Sequence, residues 1–382
     1  MPQAATIMDY SDVIGQEDIK QQLRRDVEDG RVAHAVLFGG PEGSGKLPMA
    51  LAYATALLCP TPKNGEGCGE CQSCRMAAKA VHPDLHFVFP VFKRKGQSGE
   101  AVSDQYLSEW REQLAENPYF DRIAWLSRIG VENQQAIISV AESNLILRKL
   151  SIKPSMGGRK VMVIWQPELM NDQAANKLLK IIEEPPAGTV FILVSDKPEK
   201  LLTTIVSRTQ RIEFPPIPTA EIEKALIERR SLQPADAKTV ARCAEGSYIK
   251  ALSQLRVNED QAMFFDMFVL LMRLCYMRKI KDMHEWSERV ASWGRERQKN
   301  FLEYAQRLVR ENFIYNFHRP ELNHLNKEES EFAVNFARFV NERNVIGIMD
   351  ELSAAQRDIT QNVNPRMVFF DFALKMIVLL IQ

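Results

Sequence analysis

The segment that follows a short apolar run near the N-terminus has the residue types of a phosphate-binding loop. It reads Gly-Pro-Glu-Gly-Ser-Gly-Lys over residues 40–46, directly after the apolar run at 35–38 and before a stretch with helical character. Glycines allow backbone N–H groups to turn inward around phosphates, and the N-terminus of the following helix adds positive potential. The candidate nucleotide-binding residues are Gly40, Gly43, Gly45 and Lys46.

Three positions around this loop lack the groups that ATP hydrolysis requires. Leu47 stands where a Ser or Thr hydroxyl would bind Mg²⁺. The apolar run at 161–164 is followed by Trp165 and Gln166, where a metal-binding Asp and a catalytic carboxylate would be needed. We therefore expect no bound Mg²⁺ and no intrinsic ATPase activity. The residues leave open whether the loop is a structural relic or still binds ATP or ADP without turnover.

Four of the six cysteines form a second chemical cluster. Cys59, Cys68, Cys71 and Cys74 are spaced C-x8-C-x2-C-x2-C within a loop rich in proline and glycine. Gaps of two residues let neighbouring thiolates converge on one ion, and four thiolates suit tetrahedral Zn²⁺ in a closed, structural site. The alternatives are free surface thiols and an iron–sulfur cluster. The spacing predicts structural zinc.

Apolar runs and helical stretches must position these residues. The predicted strands are 35–38, 85–91, 161–164 and 190–194, and the predicted helices are 12–30, 48–58, 132–151 and 172–184. Alternation of strands and helices is typical of a parallel α/β sheet. After a proline cluster at 214–218 the pattern is helical only, which predicts a first domain at 1–214, a small helical domain at 215–256 and a longer helical domain at 257–382.

Composition excludes two classes of protein. Lys plus Arg and Asp plus Glu both number 49, so the chain does not coat nucleic acid through bulk positive charge. The apolar stretches are shorter than a membrane span, and the N-terminus does not resemble a secretory signal, so we expect a cytoplasmic protein without membrane contact.

Residues 93–130 are interpreted as an insertion into the first domain. The basic run at 93–95 could contact a phosphate backbone, although such runs are more often solvated. Three aromatic residues follow, and they could anchor the segment to the core or to a partner: Trp110, Phe120 and Trp125.

Several short segments together resemble the clamp-loader subunits of the AAA+ family, and most closely the bacterial delta-prime group, which is related to gamma/tau. The resembling segments are 12–16, 34–38, the cysteine module at 59–74, His82-Pro83-Asp84, 176–186, Ser207-Arg208-Thr209 and Asn364-Pro365-Arg366. Similarity is dense over 10–92 and 152–214 and thin beyond 220. The resemblance implies an AAA+ P-loop domain with an embedded zinc module, a helical lid and an all-α collar for oligomerisation.

The resemblance also implies a function and its partners. Arg208 would be an arginine finger that completes the ATP site of a neighbouring subunit, while the chain's own site is inactive. We expect a subunit of a DNA polymerase III clamp loader, assembled with gamma/tau-like ATPases and a delta-like subunit, that helps to load a sliding clamp onto primed DNA. The alternatives are an ATP-hydrolysing gamma/tau-type motor and a zinc-stabilised binding module outside replication. Without the surrounding motifs, the plainer interpretation of Arg208 is a solvated arginine after a strand, paired with Glu213.

Overall fold

The computed structural model describes residues 9–94, 99–130, 136–156, 158–317 and 323–381. The chain divides into two compact units, residues 1–254 and 255–382. Within the described residues, no helix combines the length and apolar character that crossing a membrane would need.

A five-stranded parallel sheet lies at the centre of the first unit. Its strands are Ala35–Gly39 (β1), Leu85–Val88 (β2), Lys160–Trp165 (β3), Thr189–Ser195 (β4) and Gln210–Glu213 (β5). Their order across the sheet is β2-β3-β4-β1-β5, and every neighbouring pair is parallel. The predicted α/β class is confirmed. The edge strand β5 was not predicted, because only Ile212 of its four residues is buried.

Helices cover both faces of the sheet. Those of the first unit are Glu17–Glu28 (α1), Lys46–Leu58 (α2), Gln72–Ala78 (α3), Leu107–Glu116 (α4), Arg122–Arg128 (α5), Val140–Ser151 (α6), Asp172–Glu183 (α7), Thr203–Val206 (α8), Thr219–Arg230 (α9) and Pro234–Cys243 (α10). Side chains alternate along each strand. Val36 and Phe38 therefore pack with α2 on one face, whereas Ala35 and Leu37 pack with α6 and α7 on the other.

One predicted helix begins later than expected. The sequence predicted a helix from 132, but α6 begins at Val140. Residues 131–135 lie outside the described part of the chain, and Ile137 and Ile138 form isolated β-bridges with Val91 and Met170. Ile137 and Ile138 therefore pair through their backbones with neighbouring segments and do not belong to the helix.

The inserted segment folds onto the core of the first unit. Trp110 and Trp125 are fully buried, and Phe120 is nearly so. The rings of Trp110 and Phe89 stack with centroids 4.2 Å apart, and Trp125 Nε1–H donates to the Pro90 carbonyl at 2.9 Å. The sequence left open whether these aromatic residues anchor the segment to the core or to a partner, and in the structure they pack into the core.

The second unit is built from helices in the described residues. The helices that contribute to it are Tyr248–Met277 (α11, which also spans the boundary between the units), Ile280–Ala291 (α12), Arg295–Tyr315 (α13), Lys327–Phe336 (α14), Val345–Thr360 (α15) and Pro365–Leu379 (α16). Phe268, Phe301 and Phe369 are completely or almost completely buried in its core.

Candidate functional site

Lys46, the lysine of the phosphate loop, is buried and already has partners. Its side chain is 3% exposed, and Nζ lies 2.9 Å from a carboxylate oxygen of Asp196. Nζ also donates to the carbonyl oxygens of Gly40 and Pro41 and to the hydroxyl of Ser44. Because β1 and β4 are neighbours, the loop after β1 and Asp196 after β4 meet at the carboxyl edge of the sheet. The ammonium that would contact a phosphate is thus neutralised within the chain.

Leu47, Trp165 and Gln166 stand at the three positions where ATP hydrolysis would require a metal ligand or a catalytic carboxylate. Their side chains are apolar or amide, and all three residues are buried. Leu47 is 5% exposed and Trp165 is 3% exposed, so neither offers an oxygen to a cation. Gln166 adopts a left-handed backbone conformation with φ of 54°, and its Nε2 donates to Asp196 Oδ2 at 3.2 Å. Among these residues, no group can serve as a strong general base for water.

Two acidic residues at this edge were not assigned a role by the sequence analysis. These residues are Asp196 and Glu168. Glu168 accepts hydrogen bonds from the Ser195 hydroxyl and from the N–H groups of Asp196 and Lys197. Burial raises the pKa of the Glu168 carboxyl. The only available sequence signal was the position of both residues just after a buried strand.

A small cavity lies above the phosphate loop. It measures about 20 Å³ and lies between the loop, Asp196, Trp165 and three residues of the inserted segment, Pro118, Tyr119 and Phe120. Gly43 lies so close to Ser247, the residue before α11, that a Cβ atom on it would be 2.0 Å from the Ser247 hydroxyl oxygen. The sequence analysis did not single out Tyr119, although Phe120 beside it was named as an anchor.

The four cysteines converge as their spacing predicted. The sulfur atoms of Cys59, Cys68, Cys71 and Cys74 all lie within 4.8 Å of one another. The distance from Cys59 to Cys71 is 4.0 Å, and that from Cys68 to Cys74 is 3.9 Å. Tetrahedral Zn²⁺ with bonds of about 2.3 Å places its sulfur ligands about 3.8 Å apart. The cluster could therefore hold a metal ion.

The surrounding backbone supports the cluster. Backbone N–H groups of Cys68 and Cys74 donate to the sulfurs of Cys59 and Cys71. Gly67 allows close approach, because a Cβ atom on it would be 3.1 Å from the Cys74 sulfur.

Arg208 lies on the surface, in the turn between α8 and β5. Its side chain is 37% exposed and forms an ion pair with Glu183 at the end of α7. The guanidinium also donates to the Thr204 carbonyl at 3.0 Å. The expected alternative pairing with Glu213 is wrong, because Arg211 on β5 pairs with that carboxylate instead.

Two other basic residues have local partners. Lys250, near the start of α11, pairs with Glu245 at 2.9 Å, and both side chains are exposed. Arg94 of the basic run pairs with Glu109 and lies over the Tyr106 ring. Lys95 lies outside the described residues.

Comparisons with known proteins agree on one family. The model of the family described as "DNA polymerase III, delta subunit" matches residues 15–218, more than half of the chain. The delta' subunit of DNA polymerase III from Bacillus subtilis is 29% identical over 56% of this chain and 52% of the relative. The delta' subunit from Pseudomonas aeruginosa is 34% identical over 46% of this chain and 41% of the relative. The tau subunit from Bacillus subtilis is 29% identical over 67% of this chain and 38% of the relative.

The aligned part thus spans about half of these curated relatives, or less.

Two solved structures from Thermotoga maritima are also similar. A DNA polymerase III gamma subunit-related protein is 16% identical over 93% of this chain and 97% of that one, with a TM-score of 0.33. The RuvB Holliday junction branch migration motor is 17% identical over 70% of this chain and 67% of that one, with a TM-score of 0.39. On the strength of the family match, the chain belongs to the DNA polymerase III delta subunit family, among clamp-loader proteins of the delta-prime and gamma/tau type.

Proposed function

We propose that this chain is a clamp-loader subunit of the delta-prime type that hydrolyses no ATP itself and completes the ATP site of a neighbouring subunit through Arg208. Its partners would be gamma/tau-like ATPases and a delta-like subunit, and the assembly would load a sliding clamp onto primed DNA. The curated relatives, which are named as subunits of DNA polymerase III, support this assignment of partners.

The position of Arg208 relative to the sheet carries the proposal. Strands β1 and β5 are parallel, with Val36 opposite Gln210 and Gly39 opposite Glu213. Arg208 precedes β5 and therefore lies at the amino edge of the sheet, whereas the phosphate loop follows β1 at the carboxyl edge. A strand rises about 3.3 Å per residue, so the two are separated by on the order of 10 Å or more.

This separation makes action on the chain's own loop unfavourable. The Arg208 guanidinium is exposed and engaged with Glu183, which also lies at the amino edge because α7 leads into β4. An exposed ion pair of this kind is weak, so the guanidinium can exchange Glu183 for a phosphate group on another subunit at little cost. Arginine suits that role because its planar donors match phosphoryl oxygens and its charge is permanent.

The chain's own phosphate loop also favours action on a neighbouring subunit's ATP site. Leu47 and Trp165 offer no metal ligand, and the charge of Lys46 is balanced by Asp196. A site without bound Mg²⁺ and without a general base cannot stabilise the transferring phosphoryl group. Any contribution to ATP turnover would therefore act on a neighbouring site.

The metal of the cysteine cluster is proposed to be Zn²⁺ in a structural role. Cys59 ends α2, Cys71 caps α3 and Cys74 lies within α3, so one ion would tie two helices together. Four sulfur ligands leave no open position for water, which argues for a structural rather than a catalytic role. The module also contacts α1 through the ion pair of Arg24 with Glu66 at 2.6 Å.

The test is ATPase activity of the reconstituted assembly. Purified chain would be combined with gamma/tau-like and delta-like subunits, and ATP turnover would be measured with sliding clamp and primed DNA. Arginine fingers contribute roughly 10³–10⁵ in kcat. We therefore expect Arg208→Ala to abolish single-turnover hydrolysis at the site that this chain completes, while sites completed by other subunits stay active.

Arg211→Ala is the matched control. Arg211 is also an exposed arginine with a carboxylate partner, three residues further along the chain. An assembly that contains the Arg211→Ala variant should retain the ATPase activity of the unaltered assembly. Equal activity of the Arg208→Ala and unaltered assemblies, with assembly itself verified by size-exclusion chromatography, would refute the role of Arg208. Magnesium-dependent turnover by the isolated chain would refute the claim that its own site is inactive.

A further inference from the structure

Three buried polar residues lie between the cysteine module and the edge strand β2. Ser73 is part of α3, within the cysteine module, whereas His82 and Asp84 precede β2. All three residues are at most 5% exposed. Buried polar groups in proteins are almost always hydrogen-bonded, so the partners of these three residues show what they connect.

His82 connects α3 to the turn that leads into β2. Its Nδ1 accepts from the Asp84 N–H at 3.0 Å, so the ring hydrogen is on Nε2, which donates to Ser73 Oγ at 2.6 Å. The His82 carbonyl also accepts from the Leu85 N–H at 3.1 Å, which closes a turn with Pro83 at its second position. Because proline presets φ at that position, Asp84 is held in a fixed place relative to the imidazole ring.

Asp84 extends this connection to the segment before β3. One carboxylate oxygen accepts from the Ser155 N–H at 2.8 Å, and the other accepts from the Met156 N–H at 3.0 Å. The Asp84 carbonyl accepts from the Val161 N–H at 2.9 Å, at the start of the ladder between β2 and β3. Hydrogen bonds from backbone N–H groups to a carboxylate are stronger than those to a neutral acceptor. Asp84 therefore fixes the backbone that leads into β3.

An open space separates part of the cysteine module from this segment. The cavity measures about 370 Å³, and Cys59 and Cys71 of the module line it together with Met156 and Arg159. Side chains that face each other across a cavity lack the contacts that packing needs. The hydrogen bonds through residues 82–84 bridge this space.

The residue types Ser, His and Asp also occur in hydrolytic triads, but their arrangement here excludes that chemistry. In a triad, the ring nitrogen beside the serine must be free to accept the serine proton. Nε2 of His82 carries a hydrogen instead, because Nδ1 is the acceptor for the Asp84 N–H. The Asp84 carboxylate accepts from two backbone N–H groups elsewhere. The arrangement therefore suits a positioning role.

We propose that Ser73, His82 and Asp84, which we name the polar link, couple the metal of the cysteine cluster to the backbone at 155–156. The inference rests on the proposed metal and assigns a role to residues outside the four ligands. A bound ion would hold α3, since Cys71 caps this helix and Cys74 lies within it. Through Ser73, the helix holds the His82 ring, and Asp84 holds the segment before β3. By reciprocity, loss of the link weakens metal binding.

The first measurement is the zinc affinity of the purified full-length chain, in competition with a chromophoric chelator. His82→Asn keeps an acceptor for the Asp84 N–H but is too short to reach Ser73. Because partners outside the ligand set change metal affinity by roughly 10–100-fold, we expect this variant to bind zinc about tenfold more weakly or worse. Ser73→Ala should have the same effect. His82→Gln, whose amide N–H can reach the position of Nε2, should restore most of the affinity.

His86→Gln is the matched control. His86 is a half-buried histidine on β2, four positions after His82, and Ser73 contacts His82 rather than His86. The control should bind zinc as tightly as the unaltered chain does. Equal zinc affinity of the unaltered, His82→Asn and Ser73→Ala chains overturns the polar link. Absence of zinc from the unaltered chain would instead refute the metal itself, and with it the inference.

Hydrogen exchange tests the far end of the polar link with zinc present at saturation. The Ser155 and Met156 N–H groups should be protected in the unaltered chain, since Asp84 accepts from both. Ser73→Ala should raise their exchange rates severalfold, although Ser73 contacts neither residue, and unchanged exchange over β4 would verify that the variant is folded. His82→Asn provides a second, independent variant for the same readout.

Unchanged protection at 155–156 in both folded variants overturns the proposal, because Ser73 would then act only within its own helix. These measurements need no partner subunit. A failure of the polar link is therefore distinguishable from a failure of the Arg208 assignment.

Discussion

Lys46 Nζ lies 2.9 Å from the Asp196 carboxylate, although 150 positions separate the two residues in the sequence. The pairing follows from the sheet, because β1 and β4 are adjacent and parallel. The ion pair gives Lys46, the lysine of the phosphate loop, a carboxylate of the same chain as its anionic partner. The charge of Lys46 is therefore balanced by a carboxylate of the same chain.

The first prediction concerns the stability of this pair. Lys46→Met and Asp196→Ala should each lower the free energy of unfolding by about 1–3 kcal/mol, because each leaves a mostly buried partner unpaired. The double variant should lose less than the sum of the two, with a coupling energy of at least about 1 kcal/mol. Urea unfolding monitored by circular dichroism measures all three.

The exposed pair of Lys250 with Glu245 provides the control for that cycle. Lys250→Met should leave the urea midpoint unchanged, since solvent already screens both charges. Strict additivity of the Lys46 and Asp196 variants would show that the two side chains do not interact in solution.

Much of the first unit could be predicted from the sequence because its signals are local. Runs such as 161–164 and 190–194 are continuously apolar, and strands buried on both faces require that pattern. The edge strand β5 escaped prediction because three of its four residues are exposed. Its place in the sheet depends on pairing with β1, which no local pattern reports.

The site was predictable only in part, for the same reason. The convergence of the four cysteines could be predicted, because gaps of two residues place neighbouring thiols close enough to share one ion. The partner of Lys46, by contrast, comes from a strand that is distant in the sequence. Likewise, the side chain that accepts from the Ile14 N–H belongs to Tyr119, 105 residues away. Contacts of this range depend on the complete fold.

A second prediction concerns the pH dependence of stability. Glu142 on α6 is 1% exposed, and burial raises the pKa of its carboxyl to about 7, above its ordinary value of 4.5. It accepts from the Ser103 N–H at 2.7 Å, while Lys149 and Asp104 act on it in opposite directions. The folded state thus holds a proton that the unfolded state has released. Stability should fall as pH rises from about 4.5 to about 7.

Glu142→Gln tests this assignment, since the amide keeps the shape of the side chain but does not titrate. The fall in the thermal midpoint between pH 5 and pH 8 should be smaller in the variant by several degrees. Glu109→Gln is the control, because the Glu109 pKa is lowered and that residue pairs with Arg94. An unchanged pH profile in the Glu142→Gln variant would mean that another group causes the dependence.

A third prediction concerns the metal. The purified chain should contain about one zinc per molecule by mass-spectrometric metal analysis, and a strong chelator should lower the thermal midpoint. Cys71→Ser should reduce the zinc content below half an equivalent. Cys243→Ser is the matched control, because Cys243 is exposed and lies outside the cluster. Iron in place of zinc, or equal zinc in both variants, would contradict the assignment.

The last prediction concerns the partner of Arg208. Glu183 pairs with the guanidinium on the surface, so Glu183→Gln should leave the stability of the isolated chain within about 0.5 kcal/mol of the unaltered chain. In the reconstituted assembly, this variant releases Arg208 for the neighbouring subunit and should retain or increase ATP turnover, whereas Arg208→Ala abolishes it at the completed site. Glu213→Gln, which frees Arg211 instead, should change nothing. If Glu183→Gln lost as much turnover as Arg208→Ala, release of the guanidinium would lower ATP turnover. The ion pair with Glu183 would then itself be required.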